Sequence, residues 1–473
     1  MENKKRNKVL DFLQGNMVPI LFTVLCLASI KISGQNAGYV ITETVSRVGR
    51  NAILIVSLIL PVLCGMGLNF SIVLGAMAGE IGLILITHWS YDGLKGIILA
   101  GIIATVLSIV LGTLTGILFN KVKGQEMITG MILGFFAVGV YDLIFIFMVG
   151  SVIPMVNPEI MLNSQNEAGE TIYVGLRNTI DFHAETKYAV DNAWKVMFVK
   201  LLPWLLAAFA AVTVCILAYK IVKKKSDIKE ALFTTKGFLT ATILLAVLQI
   251  LMKTVKSVQK AFFIVQIPML TAIVIAVVCL LVVFITKTKL GQDIRTVGMN
   301  MQVATAAGIN VDKTRIVATV LSTVIASWGQ IIFLQNIGNV QTFNSHEQVG
   351  TYAVAALLVG GASIDKATMG QVFSGTILFH ILFFITPLAG KVLFNDPQLG
   401  EYFRVFLCYG IIAPSEKAFA YKMKYDVLKR KSGRRKAGQV DHNSGKKGLE
   451  IISEETGNSP KQVQRYIKMH LNG

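Results

Sequence analysis

Three ionisable side chains, Glu80, Asp142 and His380, lie inside apolar stretches that are long enough to cross a bilayer. Ionisable groups are expensive in hydrocarbon, and those found there commonly line solute pathways or carry protons. Glu80 and Asp142 are therefore candidate proton carriers. The alternative for each carboxylate is a place near a membrane end, where it reaches water or a hydroxyl group. For His380 the alternative is a hydrogen-bonded place in the protein core.

The composition indicates a membrane protein. Of 473 residues, 53% are hydrophobic and 15% are charged, whereas soluble domains carry about 25% charged residues. Uncharged runs of at least the roughly 20 residues that span a bilayer occur at Asn51–Gly79, Gly96–Asn120, Ala261–Thr286, Ile316–His346 and Ala367–Gly390. A β-barrel would instead alternate over segments of about 10 residues. We predict an all-α polytopic membrane protein with about ten transmembrane helices, some of them broken or short.

Nothing in the sequence predicts a catalytic or metal site. The five cysteines all lie in apolar segments, at no metal-ligand spacing, and are interpreted as small buried hydrophobic residues. The Gly-x-x-x-x-Gly-Lys-[Ser/Thr] phosphate-binding loop does not occur. ATP chemistry would have to come from another protein.

Positive charge predicts the orientation. The basic N-terminal region, residues 1–16, precedes a first apolar segment, and further basic clusters lie at Lys121/Lys123, 220–236 and 287–315. Basic loops favour the cytoplasm, which places both termini inside and the long polar loop 151–195 outside. Lys253, Lys256 and Lys260 disagree, so either their loop is an exception or the short segment Gly237–Met252 does not fully cross.

Polar and small residues inside the spans are candidates for a solute pathway. The segment Pro61–Ser71 combines a proline, two glycines and a polar pair, and such broken helices commonly line transport sites. A proline-kinked packing helix is the alternative, just as glycines four apart are typical of close helix packing. The predicted pathway residues are Asn69, Ser71, Gly75, Gln330, Gln335, Asn336, Gly360 and Gly361.

A polar, basic segment, Thr288–Arg315, follows the span that ends near Thr286. Its pattern predicts two short helices with a break near Gly298. The segment is too long for a tight turn and too apolar for a flexible linker. A short helix with Ala304, Ala306 and Ala307 on the cytoplasmic face suits docking into a groove on a partner.

The same segment carries a family resemblance. Gly291, Arg295, Gly298, Asn300 and Ala304, with the run Ala307–Val311, match the spacing G-x-x-x-R-x-x-G-x-N-x-x-x-A-x-x-x-G-I-N. This pattern resembles the permease subunits of ABC importers for branched-chain amino acids, simple sugars and nucleosides. The Gly360-Gly361 segment and the Gly65–Gly75 segment resemble two further family segments, although Asn69 stands where many members have Asp.

The resemblance implies that residues 17–413 form a permease domain, without enzymatic activity, in the cytoplasmic membrane. ATP and Mg would be bound by partner ATPase subunits, and this chain would hold no cofactor. A second permease copy or paralogue would complete the pathway for a small polar solute, which an extracellular solute-binding protein delivers. The ATPase-coupling residues would be Gly291, Arg295, Gly298, Asn300, Ala304, Ala307, Gly308, Ile309 and Asn310. One alternative is an ion-coupled secondary transporter that uses Glu80 or Asp142.

The tail differs from the rest of the chain. Residues 414–473 carry 14 Lys and Arg residues against six acidic residues. We predict a helix, a turn at Thr456–Asn458 and a second helix. Ser459 would cap the second helix, with Pro460 at its first position. The tail resembles the helix-turn-helix region of ParB-like partition proteins, which would make the whole chain a membrane-tethered DNA-binding protein. Its DNA contacts would be Ser459, Lys461, Gln462, Gln464 and Arg465. The alternative is a fusion or truncation product without selected function, in which case nucleic acid is no partner.

Overall fold

The structure, a computed structural model, describes residues 16–165, 171–222 and 235–412, together with residues 452, 453, 456 and 458–464. Within these ranges, seven helices are long and apolar enough to cross a membrane: Ala37–Leu63, Gly93–Lys121, Glu126–Met148, Phe198–Tyr219, Met269–Lys287, Val311–Ile337 and Met369–Phe394. Three apolar helices are shorter: Met17–Ser33, Ile72–His88 and Val349–Val359. The predicted all-α polytopic fold, with short and broken spans, is confirmed.

The helices are numbered in chain order. The first six are α1 (Met17–Ser33), α2 (Ala37–Val56), α3 (Ile59–Leu63), α4 (Ile72–His88), α5 (Gly93–Lys121) and α6 (Glu126–Leu143), which continues as a π-helical turn at Ile144–Met148. The next five are α7 (Ala189–Ala193), α8 (Phe198–Val222), α9 (Lys236–Thr254), α10 (Lys256–Phe263) and α11 (Met269–Lys287). The last five are α12 (Lys289–Met299), α13 (Met301–Ala306), α14 (Val311–Ile337), α15 (Val349–Val359) and α16 (Met369–Phe394). Residues 397–412 are also helical.

The chain divides into two compact units, and the larger one comprises residues 1–33, 50–190 and 274–473. At its centre, α14 packs against α4 and α5, and glycines four apart form these contacts. A Cβ at Gly79 would lie 2.6 Å from the Ser327 carbonyl oxygen, and one at Gly116 would lie 2.8 Å from the Ile316 Cα. Only a hydrogen atom fits at these two positions, as expected where small residues let helix backbones approach closely.

The polar loop after α6 contains short strands that the sequence did not indicate. Strands β1 (Met161–Gln165) and β2 (Thr171–Leu176) pair antiparallel, and β3 (Thr179–Asp181) pairs antiparallel with β6 (Asn339–Gln341). The β3–β6 pair ties this loop to the end of α14.

His183 fixes the same loop to the start of α5. Its Nε2 lies 2.7 Å from a carboxylate oxygen of Glu159, and its Nδ1 lies 2.7 Å from one of Asp92. The hydrogen bonds to these two carboxylates, first Glu159 and then Asp92, raise the pKa of His183 above its usual value of 6.5. The imidazole is therefore held more firmly in its protonated form, which pairs with both acids.

The smaller unit comprises residues 34–49 and 191–273. Within it α8 packs against α9, and β4 (Lys195–Met197) pairs antiparallel with β5 (Gln266–Pro268). Helices α9 and α10 meet at an angle of 106°, as a broken span or a re-entrant loop does. Lys256 and Lys260 lie on the short second arm of this pair. The basic residues that disagreed with the predicted orientation are therefore next to a sharp bend.

Little of the tail is described. A helix begins at Pro460, and the Ser459 hydroxyl accepts a hydrogen bond from the backbone N–H of Gln462 at 3.3 Å. The Gln462 side chain in turn accepts one from the backbone N–H of Ser459 at 3.0 Å. This reciprocal pair is a capping box, at the helix start that the sequence predicted. Arg465 and most of the predicted helix-turn-helix, like residues 1–15, lie outside the described residues.

Candidate functional site

The coupling segment, defined here as residues 288–312, folds as two short helices. Helices α12 and α13 meet at Asn300, two residues after the break predicted at Gly298. The Asn300 side chain accepts hydrogen bonds from the backbone N–H groups of Gln302 at 2.9 Å and Val303 at 3.3 Å, and so caps α13. Asn310 caps α14 in the same way by accepting from the Lys313 N–H at 2.9 Å. Both asparagines of the motif are therefore helix caps, a role that their spacing alone did not identify.

The small residues of the motif hold one face of the coupling segment against the membrane domain. Gly291 is buried, and a Cβ there would meet the backbone of Ile285 and Thr286. Ala304 is fully buried. Gly298 is half-buried, and a Cβ there would meet the Leu63 carbonyl oxygen at the end of α3.

The other face of the coupling segment is open. Arg295 is exposed, and Met299 and Val303 are 83% and 57% exposed, respectively. Ala307 and Gly308 are also exposed, and Ile309 is half-buried. Gly308 has φ of 77° with nothing within 4 Å of an added Cβ, so its conformation rather than close packing requires glycine. A row of exposed apolar side chains beside an arginine is the kind of surface that binds another protein.

The predicted break before α4 lies directly behind the coupling segment. Helix α3 ends at Leu63, and the turn that follows has φ of 72° at Gly65 and 71° at Gly67. A Cβ at Gly65 would lie 2.8 Å from the Gly298 Cα. The two backbones therefore touch, and a displacement of the coupling segment at Gly298 must also displace the break.

Asn69 lies in the same break and stabilises it through hydrogen bonds. Its side-chain oxygen accepts hydrogen bonds from the Ser71 backbone N–H at 3.1 Å and the Ser71 hydroxyl at 2.5 Å. Its amide donates to the Ser322 hydroxyl on α14 at 3.5 Å. Both predicted pathway residues are thus buried and engaged with each other.

A buried arginine links the start of α14 to the end of α5 and the start of α6. Arg315 is fully buried, and its Nε donates to the Asn120 side-chain oxygen at 2.9 Å. One Nη donates to the Phe119 carbonyl oxygen at 3.1 Å and also pairs with the Glu126 carboxylate, which is 2% exposed. We call this group the Arg315 clasp. It lies next to the coupling segment and was not predicted.

A buried carboxyl–imidazole pair involves Glu80, one of the three ionisable residues singled out in the sequence. Its Oε2 lies 2.9 Å from His346 Nδ1, and neither side chain has any exposed surface. The Tyr141 ring packs on the imidazole with centroids 4.6 Å apart. The Glu80 Oε1 and the His346 Nε2 have no hydrogen-bond partner among the described residues. Glu80 therefore does not reach water. Asp142, the residue after Tyr141 in the chain, is half-buried.

The remaining predicted pathway residues also lie in contacts within the protein. Gln330 donates to the Ser345 carbonyl oxygen at 3.1 Å, Gln335 accepts from the Val190 N–H at 3.2 Å, and Asn336 accepts from Arg50 at 3.3 Å. The predicted glycines lie at close backbone contacts: Gly75 with Thr323, Gly360 with Gln371 and Gly361 with Pro19.

A cavity of about 440 Å³ opens between the second half of α2, the end of α14, the start of α15 and His380 of α16. It is lined by Asn51, Leu54, Ile55, Phe333, Ile337, Asn339, Gln341, Asn344, Ser345, Glu347, Gln348, Val349, Tyr352, Ala353 and His380. None of the eight predicted pathway residues lines it, whereas His380 does. Most of its polar residues follow the apolar run of α14. Polar side chains are ordinary in such a connecting segment, so the sequence did not mark them as candidates for a site.

Comparison with known proteins agrees with this architecture. Residues 168–413, more than half of the chain, match the family described as branched-chain amino acid transport system / permease component. The chain is also similar to the nucleoside ABC transporter permease protein NupB of Lactococcus lactis, with 33% identity over 23% of this chain and 29% of that protein. The xylose transport system permease protein XylH of Haemophilus influenzae is 29% identical over 22% of this chain and 28% of its own length.

A third relative is the autoinducer 2 import system permease protein LsrC of Klebsiella pneumoniae, which is 34% identical over 24% of this chain and 32% of its own length. The chain thus spans about three tenths of the length of each of these curated relatives. No solved structure shows a significant match. Apolar spans, permease relatives and the family match together show that this multi-pass protein of the cell membrane belongs to the family of branched-chain amino acid transport system permease components.

Proposed function

We propose that the chain is the permease subunit of an ATP-driven ABC importer. It forms part of the pathway of a small polar solute and is coupled to separate ATPase subunits through residues 290–312. The relatives named for nucleoside, xylose and autoinducer 2 transport support an importer of this kind. The solute is a sugar, a nucleoside or a branched-chain amino acid.

The coupling segment carries this proposal. One of its faces is fixed to the membrane domain through Gly291 and Ala304, while Met299 and Val303 are left open on the other. At Gly298 it touches the break at Gly65. Force applied to the open face would therefore reach the break between α3 and α4, and discontinuous helices commonly form the substrate sites of transporters.

The proposal requires several partners. ATP and Mg are bound by the ATPase subunits, a second permease copy or paralogue completes the pathway, and an extracellular solute-binding protein delivers the solute. Both termini and the coupling segment face the cytoplasm, and the loop 151–195 faces outward. Closure of the ATPase dimer moves the coupling segment and switches the pathway from outward to inward access.

Substitutions on the open face should release the ATPase subunits. We expect Arg295→Glu to reverse a charge on the docking surface, and Gly308→Val to distort the end of α13, because valine does not adopt φ of 77° without strain. Both variants should lose co-purification with the ATPase subunits from membranes.

Two matched controls accompany this experiment. Gly308→Asn should keep the complex, since asparagine tolerates the left-handed conformation and the site has room for it. Lys187→Glu changes a charge in the loop that the proposal places outside, and should also keep the complex. Unchanged co-purification of Arg295→Glu and Gly308→Val would contradict ATPase docking at this surface.

The buried Glu80–His346 pair favours a second candidate, a proton-coupled secondary transporter. An acid and an imidazole 2.9 Å apart, shielded from water, can share one proton. Uptake that survives ATP depletion but collapses with the proton gradient, and that is lost in Glu80→Gln, would support this candidate over the importer.

A further inference from the structure

The cavity beside α15 has the size and position of a small-molecule site. Its volume of about 440 Å³ falls within the range of roughly 300–1,000 Å³ that is typical of ligand pockets. It lies in the larger of the two units, beside the β6 end of α14 and therefore at the opposite end of that helix from the coupling segment. In the proposed orientation it is the end that a solute reaches from outside.

The polar groups of the cavity are mostly carboxamides. Asn51, Asn339, Gln341, Asn344 and Gln348 all line it. Each carboxamide offers both donors and an acceptor. Hydroxyl groups likewise donate and accept, so this lining matches a solute with several hydroxyl groups around a ring.

The charges of the lining disfavour a solute that carries a carboxylate. Among the described residues that line the cavity, Glu347 is the one carboxylate, and none is a lysine or an arginine. The nearby Arg50 lies with its guanidinium 5.9 Å from the centre of the Phe333 ring and donates to Asn336. An amino acid could pair its ammonium group with Glu347, but its carboxylate would meet no lysine or arginine among the described lining residues, and desolvation opposes leaving that charge unpaired.

Two aromatic rings supply flat apolar surface. Phe333 and Tyr352 both line the cavity. The Tyr352 ring is held by an edge-to-face contact with Phe383, whose centroid lies 5.2 Å away. A sugar ring or a nucleobase has an apolar face that packs on such rings, while its polar edge meets the carboxamides.

Hydrogen bonds to neighbouring residues fix the polar segment Ser345–Glu347 that lines the cavity. His346, between the cavity residues Ser345 and Glu347, is anchored by Glu80 at 2.9 Å. The Ser345 carbonyl oxygen accepts from Gln330 at 3.1 Å, and its hydroxyl accepts from the Gln341 N–H at 2.9 Å. A wall fixed in this way loses little conformational entropy when a solute binds.

Resting on the proposed importer function, we propose that this cavity is the solute site, that it takes an uncharged ring compound rich in hydroxyl groups, and that the lack of a cation in its described lining disfavours solutes bearing a carboxylate. Uridine and D-ribose serve as uncharged probes, and L-leucine serves as the carboxylate probe. The first readout is the thermal stabilisation of the purified full-length chain by each probe, because a ligand that binds the folded state raises the unfolding temperature.

We expect uridine or D-ribose to stabilise the wild-type chain and L-leucine to leave it unchanged. Asn344→Leu and Gln348→Leu should each weaken the binding by about tenfold, the expected loss for one hydrogen bond to the solute. Gln398→Leu, the same change at an exposed position that does not line the cavity, should bind as the wild type does. Glu347→Lys should allow L-leucine to bind.

Stabilisation by L-leucine alone would overturn the inference, and so would a failure of both uncharged probes. It would also fall if the Asn344 and Gln348 variants bound as tightly as the Gln398 variant. ATP-driven uptake into proteoliposomes separates the two proposals. Uptake of L-leucine with the ATPase subunits present would keep the importer and reject the assigned solute. Binding of uridine or D-ribose by a chain that never associates with ATPase subunits would keep the site and reject the importer.

Discussion

Replacing Glu126 with glutamine should destabilise the folded chain by about 3–5 kcal/mol, the usual loss when a buried ion pair loses one partner. Arg315 has no exposed surface, and Glu126 supplies its only carboxylate among the described contacts. Without that carboxylate the guanidinium charge stays buried and uncompensated, and α14 loses its attachment to α6. The measurement is the unfolding temperature in detergent, together with the yield of monodisperse protein.

Two variants show whether the effect arises from the buried charge. The double variant Glu126→Leu/Arg315→Met should regain much of the stability, since an apolar pair of similar volume leaves no charge behind. Lys123→Gln removes the exposed ion pair with Asp312, whose atoms lie 2.5 Å apart, and should change stability by less than about 1 kcal/mol. Equal stability of the Glu126→Gln and Lys123→Gln variants would show that the Arg315 clasp does not support the fold.

Replacing Gly298 with valine should separate ATP hydrolysis from transport. A side chain at this position would collide with the backbone of α3 at Leu63 and with the turn at Gly65, and backbone cannot move aside as a flexible side chain can. The segment would lift away from the break while its open face stays available. We expect transport to fall by roughly 5- to 150-fold, the range of typical allosteric coupling energies, with the ATPase subunits still bound.

The matched change is Gly101→Val on α5, where nothing lies within 4 Å of an added Cβ. Transport assays in proteoliposomes, with ATPase activity measured in parallel, compare the two variants. Normal transport by the Gly298→Val variant would mean that the contact between the coupling segment and the break is not used. Loss of the ATPase subunits from that variant would mean that Gly298 shapes the docking face itself.

The coupling segment could be predicted from the sequence because its structural signals are local. Asn300 and Asn310 each cap a helix through backbone N–H groups no more than three residues away. The sequence pattern predicted two short helices and a break within two residues of Asn300, although it did not identify the two asparagines as caps. The face that packs on α3 was not predictable, because Leu63 and Gly298 are far apart in the chain.

The partners of the predicted pathway residues could not be predicted from the sequence. Asn69 was chosen because it is polar inside an apolar span, yet its side-chain oxygen bonds to Ser71. Gln335 donates to the Ile332 carbonyl oxygen at 3.2 Å. A polar side chain in a span signals that it needs a hydrogen-bond partner. The sequence does not reveal whether this partner is a solute or the protein's own backbone.

Long-range pairs were not predicted for a simpler reason. Glu80 was recognised as a buried ionisable residue, but its partner His346 lies 266 residues further along the chain. Arg315 lies 189 residues from Glu126. No periodicity in one sequence links positions so far apart, because the first pair joins α4 to the segment between β6 and α15 and the second joins α14 to α6.

Crosslinking at Val303 tests whether the open face of the coupling segment is where the ATPase acts. A photo-reactive amino acid in place of Val303, which is 57% exposed, should capture the ATPase subunit in native membranes. The same group at Leu162, which is 53% exposed in the loop that the proposal places outside, should not capture it. Capture of the ATPase subunit from Leu162, or of an external solute-binding protein from Val303, would contradict the proposed orientation and the importer assignment.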